Sequence, residues 1–322
     1  MKARPKAALV SAGALVASVA ALTATAAPTP SAGSAATATG ATIAPKFDPK
    51  IAALLPARIK KSKKVTYGAL WETPPIISID PKNPKLPIGA AVDLGKAVST
   101  VLGVKPVFKN MQWPAQLPGL QAGTVDVLWG QVTDTAEREQ SIADLISWRQ
   151  DPLSMLVAAG NPKGVTSLAN ACGLKIAVPT GSTQELIVKG NSDTACASNP
   201  IEAVAYPGAK EAVVAVKAGT VDGWIDGSPS IADIVKQAPS DFSLVAIPNA
   251  QVTPYASNIA GIAIGKKQPG LTRAITAALK KIAVPNGAYP AIMKKWGMAS
   301  GSLKPKAIKI NGFTGTPAGK TK

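Results

Sequence analysis

The five residues Ala122-Gly123-Thr124-Val125-Asp126 recur unchanged as Ala218-Gly219-Thr220-Val221-Asp222. Each copy follows a stretch of helical spacing and precedes a short apolar run. Glycine is favoured just past a helix end, so each copy could be a common helix-stop and strand-start signal. Alternatively, the chain holds two lobes of similar topology, and its 322 residues are enough for two ordinary domains. From Val65 onward strand and helix patterns alternate, which predicts an α/β protein. Val65–Leu70 reads as a strand ending in Trp71-Glu72-Thr73-Pro74-Pro75, where the prolines force a loop. Residues 90–102 carry helical spacing (Val92, Leu94, Val98, Val101, Leu102) and stop at Gly103. Strands are expected at 104–108, 125–129, 174–178 and 221–225, and helices at 113–120, 271–284 and 288–296. The apolar run 153–159 could cross from one lobe to the other, with 261–264 as the return strand.

The ends of the chain read differently. Met1–Lys6 is basic, Ala7–Leu22 is small and apolar, and Ala24-Thr25-Ala26 offers a cleavage site before Ala27. That pattern predicts a secretory signal over 1–26 and hence export to a periplasm, cell envelope or exterior. No cysteine lies near the cleavage site, so a lipid anchor there is not expected. Residues 27–61 are expected to be a flexible spacer followed by a short amphipathic helix carrying Ile51, Leu54, Leu55 and Ile59. The Lys, Gly, Thr and Pro of the region after Gly297 predict a loose, basic tail over 301–322.

Composition narrows the chemistry. The chain has no histidine, which removes His-based triads, His metal sites and the commonest general base. No metal site and no cofactor are expected. The formal net charge of +17 falls to about +14 once Lys2, Arg4 and Lys6 leave with the leader. The lysines are spread along the chain without a nucleic-acid-binding motif, so nucleic acid is not an expected partner. In an exported protein, Cys172 and Cys196 with no third cysteine suggest one intramolecular disulfide.

The candidate site begins where the strand over 125–129 runs into Gly130-Gln131-Val132-Thr133 and on to Arg138. In an open α/β sheet, ligands bind beyond the carboxyl ends of strands. A guanidinium there is a flat two-pronged donor for a carboxylate, although a lone arginine could equally pair with Glu137 or Asp134 at the surface. Ser182 and Thr183 stand at a helix start, where hydroxyls cap free N–H groups and an anion is also attracted. Asp226 sits just past the strand over 221–225, as a helix cap, a turn residue or a ligand group.

Several motifs in order resemble the family 3 extracellular solute-binding proteins of amino-acid ABC transporters. They are Thr73-Pro74-Pro75-Ile76, Gly89-Ala90-Ala91-Val92-Asp93-Leu94, Trp113 with Leu117 and Leu120, Thr135-Ala136-Glu137-Arg138, Gly181-Ser182-Thr183-Gln184-Glu185 and Lys294-Lys295-Trp296-Gly297. The resemblance runs from about Val65 to Met298. It implies a two-lobed, periplasmic-binding-protein-like type II fold, with a ligand cleft between lobes joined by two crossing strands. Lobe 1 would be 62–153 with 260–300, and lobe 2 would be 154–259.

By that resemblance Arg138 would hold a ligand carboxylate, helped by Thr133 and Thr183, and Asp226 would take its ammonium, with Gly130 adding a polar contact. The side-chain pocket would be drawn from Leu70, Trp71, Glu72, Trp113, Trp129, Gln131 and Gln184, and Ser182 is a further candidate ligand-binding residue. The first-loop aromatic of the family is Thr73 here, and Leu70 stands where binders of basic and polar amino acids carry an aspartate. Tryptophans suit a bulky neutral side chain, whereas an inward Glu72 would favour a cationic one. The implied function is capture of an amino acid or similar carboxylate-bearing solute, as a monomer, for a membrane ABC permease. The alternatives are a dehydratase of the prephenate or arogenate type on the same scaffold, and an envelope-bound sensory or adhesive module.

Overall fold

The structure, a computed structural model, describes residues 43–313; the expected leader, most of the spacer and the last nine residues lie outside them. Two short helices, α1 (Pro49–Ala52) and α2 (Ala57–Ser62), stand where a single amphipathic helix was expected. Pro56 separates them, because a proline lacks the N–H that would continue the first helix. Leu55 and Ile59 are buried all the same.

Strand β1 (Lys64–Ala69) is followed by a small antiparallel sheet of β2 (Glu72–Thr73), β3 (Ile77–Asp80) and β4 (Asn83–Ile88). The chain continues through α3 (Ala90–Leu102), β5 (Lys105–Asn110), α4 (Trp113–Gln121), β6 (Val127–Thr133) and β7 (Ala143–Gln150). Next come β8 (Leu153–Ala158), β9 (Lys175–Pro179), α5 (Thr183–Ala195), β10 (Glu202–Tyr206) and α6 (Ala209–Lys217). The remaining elements are β11 (Gly223–Gly227), α7 (Ser228–Gln237), β12 (Phe242–Ala246), α8 (Asn249–Val252), β13 (Ile259–Gly265), α9 (Pro269–Ile282) and α10 (Ala288–Lys295).

Two five-stranded sheets have the same plan. One runs β5-β1-β6-β13-β7 and the other β10-β9-β11-β8-β12. In each, the first three strands are parallel and the last two antiparallel pairings match. The repeated pentapeptide does one job in both. Gly123 (φ 75°) and Gly219 (φ 70°) end α4 and α6 in the left-handed region, which a residue without Cβ adopts at little cost. Asp126 N–H then donates to Thr66 O, and the Asp126 carboxylate accepts from Thr66 N–H at 2.8 Å. Asp222 pairs with Lys175 in the same way, its carboxylate accepting from the Lys175 N–H at 2.9 Å. Each aspartate thus fixes the start of a central strand against its parallel neighbour. A guanidinium from α2, that of Arg58, also pairs with Asp126.

Between the sheets the chain passes at Asp151-Pro152 and again after α8, before β13. The two passages lie side by side, with Asp151 N–H donating to Asn258 O at 2.8 Å. The run at 153–159 therefore belongs to the second sheet and 261–264 to the first, rather than forming the crossings themselves. At the start of the first passage, Arg149 is wholly buried and holds the Asp151 carboxylate through both terminal nitrogens.

Residues 303–311 depart from the looseness expected of the tail. Leu303 and Ile308 are buried, Ile310 bridges Ile146, and Ser147 N–H donates to Lys309 O at 2.9 Å. Asn311 bonds both the N–H and the carbonyl of Leu145. Strand β7 ends its sheet, and this segment covers an edge whose backbone groups would otherwise be open to pairing. In the second lobe, Cys172 and Cys196 form a disulfide that ties the end of α5 to the turn before β9.

Candidate functional site

A cavity of about 40 Å3 lies where the carboxyl ends of strands from both sheets meet. The first lobe lines it with Leu70, Thr73, Trp113, Gln116, Gly130 and Gln131; the second contributes Ser182, Gln184, Trp224 and Asp226, with backbone at Pro207–Ala209. Ser182 caps α5 by accepting from Glu185 N–H at 3.2 Å, so the first turn of that helix faces the cleft. Asp226 is 3% exposed. Burial pushes its carboxyl up to about 7, and the neighbouring Asp151 adds to the rise. Bonds from Gly227 N–H at 2.8 Å and Gln184 Nε2 at 3.2 Å oppose it by favouring the anion.

Arg138 lies in a neighbouring cavity of about 400 Å3, lined also by Ser182, Thr183, Glu185, Lys189 and Tyr255. Ser182 borders both spaces. Trp113 lines the first and stacks on Arg138, whose guanidinium carbon is 5.3 Å from the ring centroid. Burial brings the guanidinium down to about 10, which leaves it charged at neutral pH. One of its nitrogens donates to Thr133 O at 2.8 Å. Beneath it, burial and then Glu139 push the Asp134 carboxyl up to about 8.

The two cavities are joined by a continuous polar chain. From Arg138 it passes to Thr133, whose Oγ1 lies 2.9 Å from Thr183 Oγ1; Thr183 Oγ1 is 3.1 Å from Gln184 Oε1, and Gln184 Nε2 donates to Asp226. The lobes also touch through Gln131 Nε2, which donates to Ser230 Oγ at 3.0 Å. The structure thus gathers Arg138, Thr133, Gly130, Gln131, Ser182, Thr183, Gln184, Asp226 and Trp113 around these two connected spaces, with Arg138 and Asp226 in different ones.

Three expected pocket residues are elsewhere. Trp129 is 2% exposed and packs against Tyr67 and Trp148 in the first core. It lies on the burying side of β6, so the strand that carries Gly130 to the site uses Trp129 for packing. Trp71 is buried in the same core and borders a separate apolar groove with Glu72. The Glu72 carboxylate pairs with Lys210, 3.7 Å from its Nζ. Trp224 and Gln116 line the cleft without having been singled out in the sequence. Trp224 had a signal, since it stands two residues before Asp226 on a strand and so shares its face.

Residues 65–299 match the profile of the bacterial extracellular solute-binding proteins, family 3. The chain belongs to that family. This solute-binding protein is 26% identical over 264 residues to the arginine-binding protein ArgT of Corynebacterium glutamicum, covering 81% of this chain and 83% of the relative. It is 26% identical over 246 residues to the ABC transporter glutamine-binding protein GlnH of Bacillus subtilis, covering 74% and 83%. Among solved structures, an ancestral arginine-binding protein bound to arginine aligns with a TM-score of 0.64 and 28% identity, over 73% of this chain and 98% of that one. The same TM-score is found for an ancestral arginine-binding protein bound to glutamine, at 27% identity. These relatives are named as binding proteins. As a member of an extracellular family, the present solute-binding protein acts outside the cytoplasm.

Proposed function

We propose that this solute-binding protein captures an amino acid, or a similar small solute bearing a carboxylate, and delivers it to a membrane ABC importer. The observation that carries the reading is the polar chain linking Arg138 of the first lobe to Asp226 of the second. A zwitterion needs a cation and an anion held apart, and both pairings strengthen when water is excluded. Arg138 would take the carboxylate through the N–H groups not used on Thr133, and Thr133 and Thr183 would exchange their mutual contact for contacts to the ligand. Asp226 would take the ammonium, whose positive charge offsets the cost of ionising a buried carboxyl. Contacts from both lobes make binding and lobe closure one event.

The protein is read as a carrier rather than a dehydratase. Glu72, one candidate acid for such chemistry, is paired with Lys210 beside another groove. The export signal, a monomeric state and the absence of a lipid anchor belong to the same reading.

A thermal-shift screen of the amino acids tests it. A ligand at a hundredfold its dissociation constant stabilises a fold by about 2.7 kcal/mol. At least one amino acid should raise the melting temperature, without turnover, and Arg138→Ala should lose that shift while its unliganded melt stays cooperative. If no amino acid shifts the melt, or if Arg138→Ala responds as the parent does, the assignment fails.

A further inference from the structure

We infer that the bound solute carries an uncharged side chain, and that this protein discriminates against arginine and lysine although relatives named for arginine resemble it. The inference rests on the proposed role of Asp226 as partner of the ligand ammonium. Among the residues lining the cleft cavity, Asp226 alone is ionisable as an acid, and there is no basic side chain. Once it holds the ammonium, a cationic side chain within this cavity finds no second carboxylate on its walls. Asp151, Glu72 and Glu211 lie near this lining, the last two beside Gly208, but none of them is on the cavity wall. Asp151 is gripped by the buried guanidinium of Arg149. Glu72 has a side chain only 8% exposed, pairs with the Lys210 ammonium at 3.7 Å and borders a different groove.

What remains for a side chain is Leu70, Trp113 and Trp224 with the amides of Gln116 and Gln131. Gln116 Nε2 donates to Met111 O and Gln131 Nε2 to Ser230 Oγ, so each amide still offers an oxygen. Such walls can pack a neutral group and accept a hydrogen bond from it. A buried guanidinium or ammonium without a counter-charge is penalised heavily. The cavity is also small, about 40 Å3, enough for a few water-sized groups, so an extended side chain would have to hold the lobes apart.

Calorimetric titration of the wild-type protein with neutral amino acids (alanine, serine, asparagine, glutamine, leucine) and with arginine and lysine tests the inference. The expected result is binding of at least one neutral amino acid, with arginine and lysine weaker by about a hundredfold or more. Leu70→Asp, which adds a carboxylate at a cleft position that makes no hydrogen bond, should gain affinity for arginine or lysine. Arginine or lysine binding as tightly as any neutral amino acid would overturn the inference while leaving the amino-acid reading intact. A folded Leu70→Asp protein that gains nothing would contradict the charge argument. Failure of every amino acid to bind would remove the parent reading and this inference together.

Discussion

Arg138 stacks over Trp113, its guanidinium carbon 5.3 Å from the ring centroid. The same indole lines the cleft cavity. Stacking of this kind is worth about 0.5 to 2 kcal/mol, more when water is excluded. Trp113→Ala should therefore weaken ligand binding about five- to thirtyfold, through loss of both the stack and the wall. Trp113→Phe keeps a smaller face and should retain part of the affinity. Titration calorimetry of the two variants checks this, with equal affinities in both contradicting a role for the ring.

Asp226 makes binding depend on pH. Its carboxyl is raised to about 7 by burial, so at lower pH it must lose a proton before it can pair with an ammonium. Affinity should fall by up to about tenfold per pH unit below 7, with proton release seen as a buffer-dependent enthalpy.

The same shift predicts a stability effect. A carboxyl with a raised folded value binds its proton more tightly folded than unfolded, so stability declines as pH rises from about 4 to 7. Asp226→Asn should remove that decline. It should stabilise the unliganded protein at pH 8, on the order of 2 kcal/mol after losses in hydrogen bonding, while abolishing the ligand response. A variant with unchanged pH dependence in denaturant melts would contradict the assignment of the shift to Asp226.

The disulfide closes a loop between positions separated by 24 residues. Constraint of the unfolded chain by such a loop is worth about 3 kcal/mol in the chain-entropy picture. A Cys172→Ser, Cys196→Ser double variant should lose about that much stability, measured by urea unfolding. Because both residues are remote from Arg138 along the second lobe, its ligand affinity should change little.

Ile308 is fully buried against the first sheet. Ile308→Ala should cost about 2–4 kcal/mol, like other large-to-small core changes. A value near zero in chemical denaturation would mean that the tail segment adds nothing to the core.

The alternation of strands and helices, and the lobes behind the repeated pentapeptide, were legible because glycine past a helix and aspartate before a strand have local duties. The extents of α3 and Gly103 followed from apolar spacing for the same reason. The covering of β7 by Leu303–Asn311 was not legible, since its Lys and Pro content is that of a loose chain and Leu303 and Ile308 are its only buried apolar anchors. Strand β7 itself was passed over: Arg149 near its end is polar by type, yet its charge is matched by Asp151 two residues on. Trp129 and Trp113 show the limit at the site. Both adjoin Gly130 or its neighbours in the expected pocket, but which tryptophan packs and which faces the ligand depends on the face of β6 and on the placement of α4, set by tertiary contacts.

One ligand is expected to join Arg138 to Asp226. A crystal structure of the protein with the amino acid that gives the largest thermal shift tests this most directly. The ligand carboxylate should lie within hydrogen-bond distance of the Arg138 guanidinium and its ammonium on the Asp226 carboxylate. A ligand held in the cleft with Arg138 bonded only to Thr133 O, or with Asp226 untouched, would contradict it.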